Sequence, residues 1–224
     1  MNGLIYRDRR DAGRILAESL LKYEGLGAVV MAIPRGGVPV GAEVARRLGA
    51  DLDIVVARKI GAPTEPELAL GAVTANGGLF LNDEIVRALS ISAEDLESLV
   101  ARERAQARSR EKKFRDGRPP TEVAGRIVLL VDDGLATGAT MRASVRCLRK
   151  RRPARLIVAV PVGSQEACDA LRREADEVVC PSVPDFFGAV GFFYQDFEAT
   201  EDAEVLEILR EFSAHPAAPA RVEA

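Results

Sequence analysis

The chain has one histidine and three cysteines among its 224 residues, and these scarcities close off several chemistries. The histidine, His215, stands in a Pro/Ala-rich tail. A Ser-His-Asp triad, a Cys-His dyad and a His-based metal site all need an imidazole held by a folded framework, so none is expected. Cys147, Cys168 and Cys180 are odd in number, far apart and form no CxxC pair. They read as reduced, mostly buried thiols of a cytoplasmic protein, not as a disulfide framework. No apolar run reaches membrane-spanning length. Arg7, Arg9 and Arg10 are followed by an amphipathic stretch instead of an apolar one, so no signal peptide is expected. The formal charge of −3 provides no global basic field, which argues against nucleic acid as a partner. Neither GxGxxG nor GxxxxGK followed by Ser or Thr occurs, and there is no internal repeat.

What is present is globular: 47% hydrophobic and 29% charged residues. Residues 10–23 have helical spacing, with Ile15, Leu16, Leu20 and Tyr23 on one face. Residues 28–33 and 52–57 are continuous apolar runs, as expected for strands buried on both faces, and 40–48 between them reads as a helix. Asn76-Gly77 between two short apolar runs, 68–74 and 79–81, signals a hairpin. A charged helix over 93–115 follows, opened by Ser92 as N-cap and closed at Asp116-Gly117. Strands at 127–131, 156–161 and 177–180 then alternate with helices at 141–150 and 165–173, and a short acidic helix spans about 201–212. Alternation of this kind predicts an α/β fold: an open parallel sheet flanked by helices. We expect one domain over 1–213, with a hairpin-plus-helix lid insertion at 68–118, a small aromatic hood at 182–200 and a flexible tail at 214–224.

The densest chemistry lies where the strand 127–131 ends. Asp132 and Asp133 stand at its carboxyl end, where open parallel sheets bind ligands. Gly134 and Leu135 lead into Ala136-Thr137-Gly138-Ala139-Thr140, small throughout and followed by a helix. Small side chains let backbone amides approach a phosphate, two hydroxyls add donors, and the helix aims its positive end at the same point. A ligand that needs both carboxylates and a phosphate cradle carries a sugar diol and a phosphate ester on one ring. Ile33-Pro34-Arg35-Gly36-Gly37 offers a second candidate anion loop between a strand and a helix. Arg58 and Lys59 are read as a basic pair ending the second strand, with Lys59 the better candidate to reach an anion.

Residues 128–140 resemble the signature of the type I phosphoribosyltransferases, which bind 5-phosphoribosyl-1-diphosphate (PRPP). The resemblance implies that Asp132 and Asp133 meet the ribose hydroxyls and act catalytically, Asp133 as a candidate general base. Gly134, Ala136, Thr137, Gly138, Ala139 and Thr140 would hold the 5-phosphate. Arg35, Gly36, Gly37 and Lys59 would hold the diphosphate; similar loops in the family often use an unusual peptide geometry. The Arg-rich helix, with Arg102, Arg104, Arg108, Arg110, Lys112 and Lys113, would take the place of the family's mobile catalytic loop and supply a cation that closes over the diphosphate. In the hood, Phe192, Phe193 or Tyr194 would stack on the acceptor. The implied protein is a PRPP- and Mg²⁺-dependent pentosyltransferase of nucleotide metabolism, a glycosyltransferase acting on a nucleobase-like nitrogenous acceptor. A cytoplasmic location, no membrane partner and a homodimer go with that reading. The alternative is a regulator on the same fold that senses PRPP or binds nucleic acid.

Overall fold

The computed structural model describes residues 5–63, 65 and 68–214. A five-stranded parallel sheet runs in the order β2-β1-β6-β7-β8, built from β1 (Val29–Ala32), β2 (Asp51–Ile54), β6 (Ile127–Val131), β7 (Arg155–Ala159) and β8 (Glu177–Val179). Its three central strands, β1, β6 and β7, are apolar at every central position because both faces are covered. With side chains alternating along each strand, Val30, Ala32, Leu129 and Val131 pack against α2 (Gly37–Leu48) and α7 (Asp202–Ala214). Val29, Met31, Val128 and Leu130 face the opposite way, toward α5 (Ala139–Arg149) and α6 (Gln165–Leu171). α1 (Arg9–Glu18) lies on α2. The amphipathic reading of 10–23 thus resolves into α1 and a 3₁₀ turn, Leu21–Tyr23.

The chain leaves β1 toward β2 on one side and returns through β6 toward β7 and β8 on the other. β1 and β6 are hydrogen-bonded neighbours, Ala32 opposite Val131. The loops after them therefore diverge at one point, the crevice where open α/β sheets bind ligands.

A second, antiparallel sheet holds β3 (Ala57–Gly61), β4 (Ala69–Thr74) and β5 (Leu79–Leu81). The hairpin at Asn76-Gly77 forms as expected, but the apolar run 52–57 is not one strand. Val55 still bonds the central sheet, its N–H donating to Ala32 at 3.0 Å, whereas the Val56 carbonyl accepts from Ala75 at 3.1 Å. The chain changes sheets between these two residues. Arg58 and Lys59 consequently lie within β3, not at a strand end, and the insertion begins earlier than position 68. α3 (Asp83–Ala88) follows, unforeseen in the sequence and capped by the Asn82 carboxamide.

α4 (Ala93–Arg115) has the expected limits, with Ser92 capping the Asp95 N–H and Asp116 ending it in the left-handed region. It is built into the body of the protein and does not stand free as a lid. Ala107 and Phe114 are fully buried in the main core. Arg115 grips the buried Asp53 of β2 at 3.1 Å. Phe114→Ala is expected to destabilise the chain by about 3–5 kcal/mol, the usual result of removing a buried phenylalanine ring. Urea unfolding would measure it; a loss below about 1 kcal/mol would mean that α4 is loosely attached. The frayed tail expected from the sequence lies, beyond residue 214, outside the described residues.

Candidate active site

Asp132 and Asp133 emerge from β6 into the crevice, partly buried. The Asp133 N–H donates to Asp132 Oδ1 at 2.9 Å. Burial raises both acids above the ordinary carboxylate range, Asp132 most, and repulsion from Asp133 raises Asp132 further. Arg9 opposes the shift on Asp133. Its Nε donates to Asp133 Oδ2 at 2.8 Å. A crowded, desolvated acid pair of this kind favours an arriving positive charge.

The following loop is pinned at its middle so that its tip stays open. Leu135 is buried, its N–H donates to the Val162 carbonyl and its carbonyl accepts from Ser164, both at 2.9 Å. Ser164 Oγ donates to the Ala136 carbonyl at 2.7 Å. Ala136 and Thr137 remain exposed. Gly138 takes φ 75°, a left-handed conformation that a Cβ disfavours, and it caps α5 with no side-chain bond. The first amides of α5 are thus left for an anion. The helix begins at Ala139, two residues earlier than the sequence suggested, which brings those amides closer to the loop.

The loop after β1 lies against this element. The Pro34–Arg35 peptide is cis. A Cβ on Gly37 would lie 2.8 Å from the Val131 carbonyl oxygen, and one on Gly36 would lie 2.0 Å from Asp133 Oδ2. The glycines are therefore needed for contact between the two loops. Two amides at the end of this loop are already engaged, Gly37 to Ile33 and Val38 to Arg35, each at 3.0 Å. Arg35 itself reaches toward Asp202 on α7, Nη1 to Oδ1 3.4 Å, and Lys113 of α4 shares that carboxylate at 2.6 Å. Lys113 of α4 is thereby tied to this loop by a shared acid.

A cleft of 630 Å³ runs from the exposed tip of the small-residue loop, Ala136 and Thr137, between Lys59, Phe80 and Arg142 and the hood residues Phe187 and Gly188. The hood differs from expectation. Phe193 is buried and stacked on Phe187, centroids 5.4 Å apart. Tyr194 is also buried, its ring against Tyr6 and Phe197, and its hydroxyl donates to the Asp133 carbonyl at 2.6 Å. These two rings hold the hood to the core and present no free face for stacking. Phe192 is 72% exposed, and its ring lies over Gly188. The sequence missed Arg9, Phe187 and Asp202. Residues 9 and 133 are joined only by the fold, and no local pattern marks the contact. Phe187 carries a composition signal shared by every phenylalanine of the hood.

Among the described residues, no group of three or more His, Cys, Asp or Glu side chains could hold a metal ion. The donor set is the carboxylate pair alone. That suits a hard cation carried in largely by substrate phosphates and water, with one or two carboxylate contacts, and does not suit a dedicated cage. Among the described residues no helix is long and apolar enough to cross a membrane.

The comparisons with known proteins agree with this geometry. A family model described as a phosphoribosyl transferase domain matches residues 5–198. Two Mycobacterium tuberculosis proteins, from strains CDC 1551 and H37Rv and each provisionally named a phosphoribosyl transferase, are 42% identical over 205 residues. The match takes in 92% of this chain and 46% of each relative, so the chain spans about half the length of those proteins. The crystal structure of TT1426 from Thermus thermophilus is 47% identical, with a TM-score of 0.79 over 93% of this chain and 99% of that one. AQ2163 from Aquifex aeolicus, 14% identical with a TM-score of 0.52 over 82% of this chain and 78% of that one, shares the fold.

Proposed function

The chain belongs to the phosphoribosyl transferase domain family, and from that premise we propose that it transfers the 5-phosphoribosyl group of PRPP to a ring nitrogen of a nitrogenous acceptor, releasing diphosphate. The observation that carries this reading is the juxtaposition of a partly buried acid pair, Asp132 and Asp133, with the uncapped start of α5. In this reading the ribose hydroxyls meet the two carboxylates. The 5-phosphate lies at Ala136, Thr137, Gly138, Ala139 and Thr140, beside Gly134.

The diphosphate lies along Arg35, Gly36 and Gly37. Lys59, on the rim of the cleft, faces the same ligand. Diphosphate would draw Arg35 and Lys113 away from Asp202, since both cations share that one acid before the ligand arrives. Asp132 or Asp133 would contribute a carboxylate to a Mg²⁺ ion arriving with the substrate, which would supply charge neutralisation at the leaving group.

As the bond from C1 to diphosphate breaks, positive charge develops on the ribose. The acid pair stands where it stabilises that charge. Asp133 accepts the proton that the acceptor nitrogen loses. The acceptor enters the cleft between Phe80 and the hood, with Phe187 beside it and Phe192 at the rim; Phe193 and Tyr194 support it from beneath. Covering by the hood keeps water from the ribosyl cation, which would otherwise be hydrolysed.

The test is calorimetric titration with PRPP and Mg²⁺, followed by a panel of purine and pyrimidine bases assayed for diphosphate release. Saturable binding with release supported by one base is the expected result. Absence of PRPP binding would overturn the reading. Binding with no release from any base would leave a sensor in place of a transferase.

A further inference from the structure

Asp133 is held from a distant part of the chain. Arg9 opens α1, 124 positions away, and its side chain is 13% exposed. Three contacts fix its guanidinium. Nε donates to Asp133 Oδ2 at 2.8 Å, Nη1 donates to the Glu198 carbonyl at 2.6 Å, and Cζ sits over the Phe197 ring, 4.0 Å from its centroid. The Phe197 ring in turn packs on Tyr194, centroids 5.0 Å apart, whose hydroxyl holds the Asp133 carbonyl. The same acid is thus gripped at its carboxylate and at its backbone, both times by groups belonging to or resting on the hood. On the other side lies Gly36, where a Cβ would fall 2.0 Å from Asp133 Oδ2 and 3.0 Å from Arg9 Nε. The ion pair therefore lies flat against the loop assigned to diphosphate.

We propose that Arg9 is a positioning residue: it fixes the rotamer of the Asp133 carboxylate and makes that geometry depend on a seated hood, through Glu198 and Phe197. The inference rests on the PRPP-binding reading of the site. A guanidinium suits the task because its planar fork can bind a carboxylate and a carbonyl at once while its face lies on a ring. A lysine in its place would keep the charge and lose the fork. Arg9 does not touch the ribose or the leaving group. Its effect passes through Asp133, and removing Asp133 removes the effect.

The experiment is a double-mutant cycle in the full chain, with PRPP and Mg²⁺ binding followed by calorimetry and thermal unfolding recorded alongside. Arg9→Gln is expected to weaken binding about fivefold, and Arg9→Lys to recover part of that loss, because small displacements of a binding group carry large penalties. In the Asp133→Asn background, Arg9→Gln should change binding by less than about twofold, the non-additivity of residues that act together. If Arg9→Gln weakens binding equally in both backgrounds, Arg9 acts only on general structure and the proposal fails. Phe197→Leu, which leaves Asp133 and Arg9 in place, is the variant to use should Arg9→Gln fold poorly. It should reproduce part of the loss in wild type and none of it beside Arg9→Lys or Asp133→Asn; no loss in wild type would overturn the link to the hood. Absence of PRPP binding by the wild-type chain would overturn the functional reading and this inference together, whereas binding that is indifferent to Arg9 and Phe197 would overturn this inference alone.

Discussion

Replacing Asp133 with asparagine should lower turnover by roughly 10²–10⁴-fold, the range for loss of a general base, while PRPP affinity falls by only about tenfold. The substitution keeps the size of the side chain and gives up the ion pair with Arg9. It removes the negative charge that develops its full value only as the ribosyl group becomes cationic. It also removes the base for the acceptor proton. Interactions that strengthen between ground state and transition state lower turnover when lost, whereas uniform binding shows in affinity. The burial that raises the acids has no counterpart in the amide, so the variant should fold at least as well as the wild type. The measurement is diphosphate release at saturating PRPP, with affinity from calorimetry. Equal losses in turnover and affinity would remove Asp133 from the chemistry and leave it as a ribose ligand.

Gly36→Ala has the second large expected effect, a loss of about a hundredfold in PRPP affinity, as when a binding group is displaced by about 1 Å. The added Cβ would stand 2.0 Å from Asp133 Oδ2 and 2.7 Å from its Cγ, closer than any real contact, so something must shift. The carboxylate cannot swing away freely, because Arg9 holds it and Tyr194 holds the backbone of the same residue from the hood side. The β1 loop cannot lift without parting from the end of β6, where Gly37 already lies against Val131 and Asp132. One methyl group therefore disturbs both anion loops and the acid at once. The sheet and its two cores lie below this contact, so the circular dichroism spectrum should be unchanged. An alanine variant that binds PRPP like the wild type would show that the two loops are not in contact.

The parts of this protein that were legible in the sequence are those whose signals are local. Ile127–Val131 and Ala93–Arg115 were found to the residue, because an unbroken apolar run and a Ser92 cap need no distant information. The acid pair and small-residue loop were legible because their chemistry is contiguous. Residues 52–57 were misread because Val55 and Val56 are equally apolar but bond to different sheets, a choice that the partner strands make. Arg58 and Lys59 moved with that boundary. The hood was legible only in part, for a different reason. Composition shows that aromatics are there and cannot say which ring is buried, and Phe193 and Tyr194 lie inward while Phe192 does not. Arg9 carried no signal because its partner is 124 residues away. Asp202 likewise looked like one acid among many at the start of an acidic helix.

The two candidate anion loops leave the ends of adjacent, hydrogen-bonded strands, β1 and β6. Neighbouring strands are held about 4.8 Å apart by their backbone ladder. The spacing between the strand ends from which the loops start is thus set by main-chain bonds that no side-chain substitution in either loop can stretch. Mutation there can change how firmly each anion is held, but the sheet works as a ruler for the span between them. In the proposed reading, selection among sugar phosphates by reach belongs to the fold itself, and selection among acceptors to the hood. The two can diverge independently: a new hood changes what receives the sugar without altering which sugar is measured.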